Sequence, residues 1–374
     1  MKKWINWLCP AVFLLVIFAG AVLFFALPRQ DYSVLEKRYL QETPEITLKT
    51  LEDGTAQTNL EKYLADHFPG RDGLVGINAY WKLLTGRNAV EKIYYAKDGY
   101  LINAPTALDL ELFTTTMERF DSFAKSTGLP ASLLMVPSTG SMKGELLPLG
   151  ARAYPDDLLY ETAEKTLTAV KSYDLRDALS KADQSGQVFY RTDHHLTAYG
   201  CYSLYAAWRE ARGQTVTPRE DYEVTSYDGF YGTTWSGSGY FLTKPDTVEL
   251  WDLGLTPQIT ITDAGEEPIT SDSFFFRDHL EELDKYPVYL DGNHTLTKIV
   301  NQDAPEGTLL VIKDSYAHAV APFLSENYRT VYLLDLRFYR GSVSSYAKEI
   351  GADELLYLYG TSTLLTDTNS AWLF

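Results

Sequence analysis

Three short, wholly apolar runs near the C-terminus limit what this chain can fold into. They are "TLLVIK" at 308–313, "TVYLLDL" at 330–336 and "ELLYLYG" at 354–360. None alternates apolar with polar residues, so each must be buried on both faces, as strands of a covered parallel sheet are. The segments between them, "AHAVAPFLSENY" and "SVSSYAKEIG", read as helices. The same alternation occurs earlier. "LELFTTTMERFDSFAKSTG" is an amphipathic helix ending at Gly128, and "ASLLMVP" is a buried strand. "PDDLLYETAEKTLTAVKSY" reads as a second helix and "QVFYRT" as a short strand that ends at Asp193. "TAYGCYSLYAAWREARG" is a third helix, with Thr197 as its cap. Strands that alternate with helices predict an α/β fold with a mostly parallel sheet between two helical layers. Residues 214–305, rich in Thr, Gly and Asp, break the alternation and predict a β-rich insertion largely outside the sheet. "KIYYAKDGYLI" at 92–102 predicts a hairpin.

The N-terminus is a different material. Residues 5–27 contain no charged side chain and are long enough to cross a bilayer as one helix. Phe24, Phe25 and Leu27 crowd its far end, where a cleaved signal peptide would carry small residues. The expectation is an uncleaved anchor over residues 1–28, followed by an irregular stalk over 29–60 and a main domain over 61–374. Lys2 and Lys3 would hold the N-terminus in the cytoplasm, which makes this a single-pass cell-membrane protein with its C-terminal domain extracytoplasmic. With only Cys9 in the anchor and Cys201 in the domain, no disulfide framework is expected. A net charge of −17 excludes nucleic acid as a ligand. The 27 tyrosines and 7 tryptophans suit stacking on sugar rings, and equally suit a tyrosine-rich core.

Two loops carry chemistry. "RTDHH" at 191–195 holds two of the six histidines, and "VIKDSYAHA" at 311–319 places Ser315 at a strand-to-helix turn. A serine there exposes its hydroxyl beside backbone N–H groups that can stabilise an oxyanion, although it can equally be a plain helix cap. Serine needs a base within hydrogen-bond reach, and histidine oriented by a carboxylate is such a base. Asp193 and His195 are two residues apart, so in extended chain they point the same way. Together the loops could supply an Asp-His-Ser arrangement that needs neither cofactor nor metal.

These segments resemble the DHHW family of Gram-positive bacteria and, more distantly, the alginate O-acetylation proteins, an SGNH-hydrolase-like group. The resemblance rests on "RTDHHLTAYG" and "KDSYAHAVAPFL" in that order, with "YLADHFPGRD", "KDGYLI", "MVPSTGSMKGELLP" and "DGFYGTTWSGSG" elsewhere. It implies an SGNH-hydrolase-like three-layer fold, with Ser315 as nucleophile, His195 as base and Asp193 orienting it. It also implies an O-acetyl transferase or esterase acting on a cell-surface or secreted polysaccharide, with an integral-membrane acyltransferase as a partner if the reaction is transfer. Leu196 replaces the family's tryptophan, and Lys313 replaces a glycine of the acetylation proteins. The rival class is a non-catalytic glycan-binding or scaffolding component of the cell envelope.

Further candidates have weaker signals. His194 should point away from His195 and make a structural hydrogen bond. His318 either lines the site or lies on the surface. Asn293 is either an oxyanion donor or a turn residue, and Tyr316 either packs or touches substrate. Asp314 should bind backbone amides. A metal at residues 193–195 is disfavoured, because His67, His279 and His294 are scattered among unlike segments and form no second ligand block.

Overall fold

The computed structural model describes residues 5–374. Lys2 and Lys3, which carry the expected topology, lie outside the described residues. The chain forms two compact units. One comprises the residues up to Val90 together with Ser236–Leu242, and the other comprises Glu91–Trp235 and Thr243–Phe374.

The larger unit is built on an eight-stranded sheet. Its strands are β1 (Ala131–Val136), β2 (Val170–Tyr173), β3 (Gln258–Thr262), β4 (Ile269–Ser271), β5 (Leu296–Val300), β6 (Thr308–Lys313), β7 (Thr330–Leu334) and β8 (Glu354–Gly360). Their order is β4-β3-β5-β7-β6-β8-β1-β2. The five strands from β7 to β2 are parallel, and β5, β3 and β4 extend that edge antiparallel. Burial explains the layers. Along β6, Leu309 and Val311 enter one core while Leu310 and Ile312 enter the other, as a period of two requires. One core is closed by α1 (Leu110–Thr127) and α2 (Asp156–Thr166), and the opposite one by α3 (Arg176–Asp183) and α4 (Ala198–Ala211). In α1 the side chains of Phe113, Met117, Phe120 and Ala124 recur on one face and are fully buried. The Asp109 carboxylate accepts from Leu112 N at 2.9 Å, and Gly128, at φ +70°, ends the helix.

The fold departs from the sequence reading in four places. The segment 214–305 lies largely outside the sheet but supplies three of its strands, β3, β4 and β5, which the sequence reading did not place there. Those strands alternate buried and partly exposed positions, as in Leu296–Val300, which is an antiparallel-edge pattern and not a doubly buried one. The helix expected over 155–173 stops at Thr166. The Asp121 carboxylate then accepts from the backbone N–H of Thr168, Ala169 and Val170, and the chain turns into β2. "QVFYRT" is not a sheet strand: only Phe189 bridges, to Leu196, and residues 191–195 form a tight bend between them. Residues 29–60 are not an irregular stalk, since they contain the helix Leu48–Glu52 and much of the helix Thr55–Asp66.

In the smaller unit, Ile5–Ala26 is a single helix. Trp7–Ala26 is apolar and long enough to cross a membrane, and none of its residues is fully buried, although Gly20 and Phe24 are partly covered.

Candidate active site

In doubly wound sheets the reactive groups gather beyond the carboxyl ends of the parallel strands. Here β6 ends in Lys313-Asp314-Ser315, β8 in Gly360-Thr361 and β1 leads to Ser138. Asp314 ties two of these ends together. Its carboxylate accepts from Tyr316 N at 3.0 Å and from Gly360 N at 2.9 Å. Ser315 therefore starts a tight 3-10 turn, Ser315–Ala317, and not the α-helix that the sequence suggested. The residue remains partly exposed.

Across from it stands the 191–195 bend. The Asp246 carboxylate holds the bend from below, accepting from Arg191 N at 3.1 Å and from both Thr192 N and Thr192 Oγ1 at 2.7 Å. Asp193, 1% exposed, receives four hydrogen bonds. Its Oδ1 accepts from His195 N at 2.9 Å and lies 2.5 Å from His195 Nδ1. Its Oδ2 accepts from Thr233 N at 2.6 Å and Thr233 Oγ1 at 2.8 Å. Burial alone would raise this carboxyl. The charges of His195 and His194 and these hydrogen bonds outweigh it and hold Asp193 well below the usual carboxylate range. His195 Nε2 lies 2.7 Å from Ser315 Oγ. With Nδ1–H donating to Asp193, Nε2 is left to accept the serine proton.

Residues 157–334 match the family model described as DHHW protein. No curated protein matches the chain. Among solved structures, a DHHW family protein from Eubacterium siraeum aligns with a TM-score of 0.64 at 20% identity, covering 75% of this chain and 94% of that one. PatB1 of Bacillus cereus, in a structure with a sulfonyl adduct, aligns with a TM-score of 0.64 at 18% identity, covering 75% and 97%. At these identities the likeness is one of fold.

The DHHW span holds both loops, and the other singled-out residues take the following places. His194 does not point away from His195. Its ring lies 3.9 Å from the His195 ring, and its Nδ1 is 2.7 Å from Thr233 Oγ1. The bend at 191–195, which is not extended chain, brings the two rings together. Tyr316 reaches back across the site, its hydroxyl donating to His194 O at 2.8 Å and its ring edge-on to His195. Gly360 is needed beside it, because a Cβ there would meet the Tyr316 ring at 2.4 Å. His318 is not a surface residue. It is 2% exposed, with Nε2 2.7 Å from Lys313 Nζ. Burial and then the lysine charge push His318 well below the usual imidazole range. Lys313 is itself buried and pairs with Asp335 at 3.1 Å, so this side chain turns into a polar network and not toward Ser315. Asn293 is exposed and its amide oxygen accepts from Arg337 at 2.8 Å. Leu196, where the family has tryptophan, is buried at the Phe189 bridge.

Two contributors are not singled out in the sequence, although Gly232 lies within the quoted segment "DGFYGTTWSGSG". Tyr286 stacks flat on the His195 ring, with centroids 3.8 Å apart, and its hydroxyl donates to Ser315 O at 3.0 Å. Gly232 passes so close to Asp193 that a Cβ would lie 2.2 Å from the Asp193 Cβ. A cleft of about 860 Å³ adjoins the site, with His194, Tyr316, Arg337, Tyr154, Ser138 and Thr363 in its walls. Ligand atoms of Asp193, His194 and His195 lie within 4.8 Å of one another, close enough to consider a cation. Both Asp193 oxygens and His195 Nδ1 are already committed to hydrogen bonds, so a metal would have to break the cluster to bind.

Proposed function

We propose that this protein is a membrane-anchored, extracytoplasmic acyl-ester transferase or esterase that works on polysaccharide O-acetyl groups. Ser315 is the nucleophile, His195 the general base and Asp193 the residue that orients it. Ser315 Oγ attacks the ester carbonyl carbon while His195 Nε2 takes the hydroxyl proton. The tetrahedral intermediate collapses, the proton passes from His195 to the departing alcohol, and an acetyl-Ser315 ester remains. A sugar hydroxyl or water then gives its proton to His195 and attacks that ester, which frees Ser315. The Ser315 N–H has no acceptor among the described residues and can serve as an oxyanion donor. The single observation that supports the reading is the continuous chain of hydrogen-bond contacts from Asp193 through His195 to Ser315. The acetyl group and the glycan acceptor rest on the DHHW resemblance, and the anchor on the Trp7–Ala26 helix.

The test is turnover of a chromogenic acetyl ester by the full-length protein and by Ser315→Ala and His195→Ala. Each substitution should remove nearly all turnover, and the double variant should lose little more, because such residues act as a unit. Residual activity near wild type in Ser315→Ala would reject the nucleophile.

A further inference from the structure

An apolar helix face is normally covered. The helix Arg71–Leu84 carries a polar stripe of Arg71, Asn78 and Lys82 with apolar residues on either side of it, and only one of those sides is covered. Its inner face carries Val75, Gly76 and Ala79. It packs under the segment 239–242, where a Cβ on Gly76 would meet the Phe241 ring at 3.3 Å and Leu242 N donates to Tyr80 OH at 3.1 Å. The opposite face carries Leu74, Ile77, Trp81 and Leu84 at a spacing of three and four residues, and all four are exposed, Leu84 by 82%. Between this face and Leu242, itself 82% exposed, lies an apolar hollow of about 450 Å³.

What covers it follows from the rest of the same unit. The Phe68 ring packs on Gly20 of the N-terminal helix, within ordinary contact of a Cβ built there, and Tyr63 meets Phe24 edge-on. Gly20 is six residues before the end of that helix at Ala26, which is about 9 Å along the axis at 1.5 Å per residue. Phe68 is thus held at the depth where headgroups give way to acyl chains, and the helix Arg71–Leu84 begins three residues later. Charge agrees. Residues 29–90 carry 8 Lys and Arg against 9 Asp and Glu, whereas residues 91–374 carry 23 against 41. The near-neutral segment can lie against an anionic lipid surface that would repel the rest.

We propose that Leu74, Ile77, Trp81 and Leu84, with Leu242, lie in the headgroup–acyl boundary of the bilayer that the N-terminal helix spans. The unit is then a second, monotopic membrane contact beside the anchor, with Trp81 at the interface that tryptophan favours. The proposal rests on the anchor reading, and the experiment separates the two.

Full-length protein with Cys9→Ser, in which the remaining Cys201 is buried, is labelled with an environment-sensitive fluorophore at Ile77→Cys or Leu84→Cys. Leu149→Cys, at a fully exposed position, is the aqueous reference. Each is reconstituted in phosphatidylcholine–phosphatidylglycerol vesicles, and thermal melting confirms that the labelled forms fold. The expected result is a blue-shifted emission at 77 and 84 that a quencher on the lipid chains suppresses and aqueous iodide does not, with the reverse at 149. Iodide quenching at 77 and 84, in protein that resists alkaline-carbonate extraction, overturns the proposal and leaves the anchor standing. Shielding from both quenchers overturns it in favour of a protein partner or second copy. Extraction of the protein by carbonate overturns the anchor reading and this one with it.

Discussion

Asp193→Asn is the substitution whose cost can be worked most fully from the structure. The carboxylate, itself buried, accepts four hydrogen bonds, two on each oxygen. An amide can accept on one side only. If its NH2 faces Thr233, the threonine hydroxyl can rotate to accept, but the Thr233 N–H is orphaned. If it faces His195, the His195 N–H is orphaned, and Nδ1 must become the acceptor. The ring then carries its proton on Nε2, facing Ser315, and cannot act as a base. The second flip leaves the N–H of buried His195 unpaired, a cost of about 1–3 kcal/mol in stability, while the first orphans the N–H of exposed Thr233 and costs less. The second flip also imposes the wrong tautomer, which in triads of this kind lowers kcat by about 10⁴-fold. The assay pairs thermal melting with ester turnover. A lower melting temperature with turnover reduced by several orders of magnitude is expected. Turnover within about tenfold of wild type, at an unchanged melting temperature, would refute the reasoning that Asp193 sets the tautomer.

Three further outcomes are expected. In Gly232→Ala the new Cβ, 2.2 Å from the Asp193 Cβ, must displace it by about 1 Å, so turnover should fall by roughly 10²-fold for about 1–3 kcal/mol of stability; wild-type turnover would show that Asp193 can move freely. Tyr286→Phe keeps the ring stacked on His195 and loses one bond to Ser315 O, so it should cost about tenfold at most, while Tyr286→Ala should cost clearly more; equal effects would place the role in the hydroxyl. The third concerns pH. His318 is held well below its ordinary 6.5, so below that pH the unfolded chain takes up a proton that the folded chain refuses. Stability should therefore fall as pH drops through about 6.5, by up to about 1.4 kcal/mol per unit from this residue. Urea titrations of His318→Gln should show a flatter profile, and an unchanged one would remove His318 as its source.

The parts of the fold legible in the sequence are those that a single burial pattern dictates. β1, β6, β7 and β8 are buried on both faces, so their apolar runs admit no other reading. β2 was hidden because "VKSY" follows a helix without a Gly or Pro to punctuate it. What ends that helix is the carboxylate of Asp121, some 47 residues away. β3 and β5 look like surface strands because as antiparallel extensions they are only half covered. At the candidate site, the position of the two loops, the Asp-x-His spacing and the family resemblance together single out Asp193, His195 and Ser315. The groups that hold them come from distant segments: Asp246 under the bend, Thr233 and Gly232 behind Asp193, and Tyr286 over His195. One tyrosine among 27 carries no local mark of such a role.

The account stands most directly on a covalent acetyl-Ser315. Rapid mixing of full-length protein with an activated acetyl ester, acid quench and mass spectrometry of its peptides tests for it. The account predicts one added acetyl group, on the peptide holding Ser315, that forms in a burst, decays on adding a glycan acceptor or on standing in water, and is missing from His195→Ala. An acetyl group on a different residue, or steady turnover with Ser315 never modified, would contradict it.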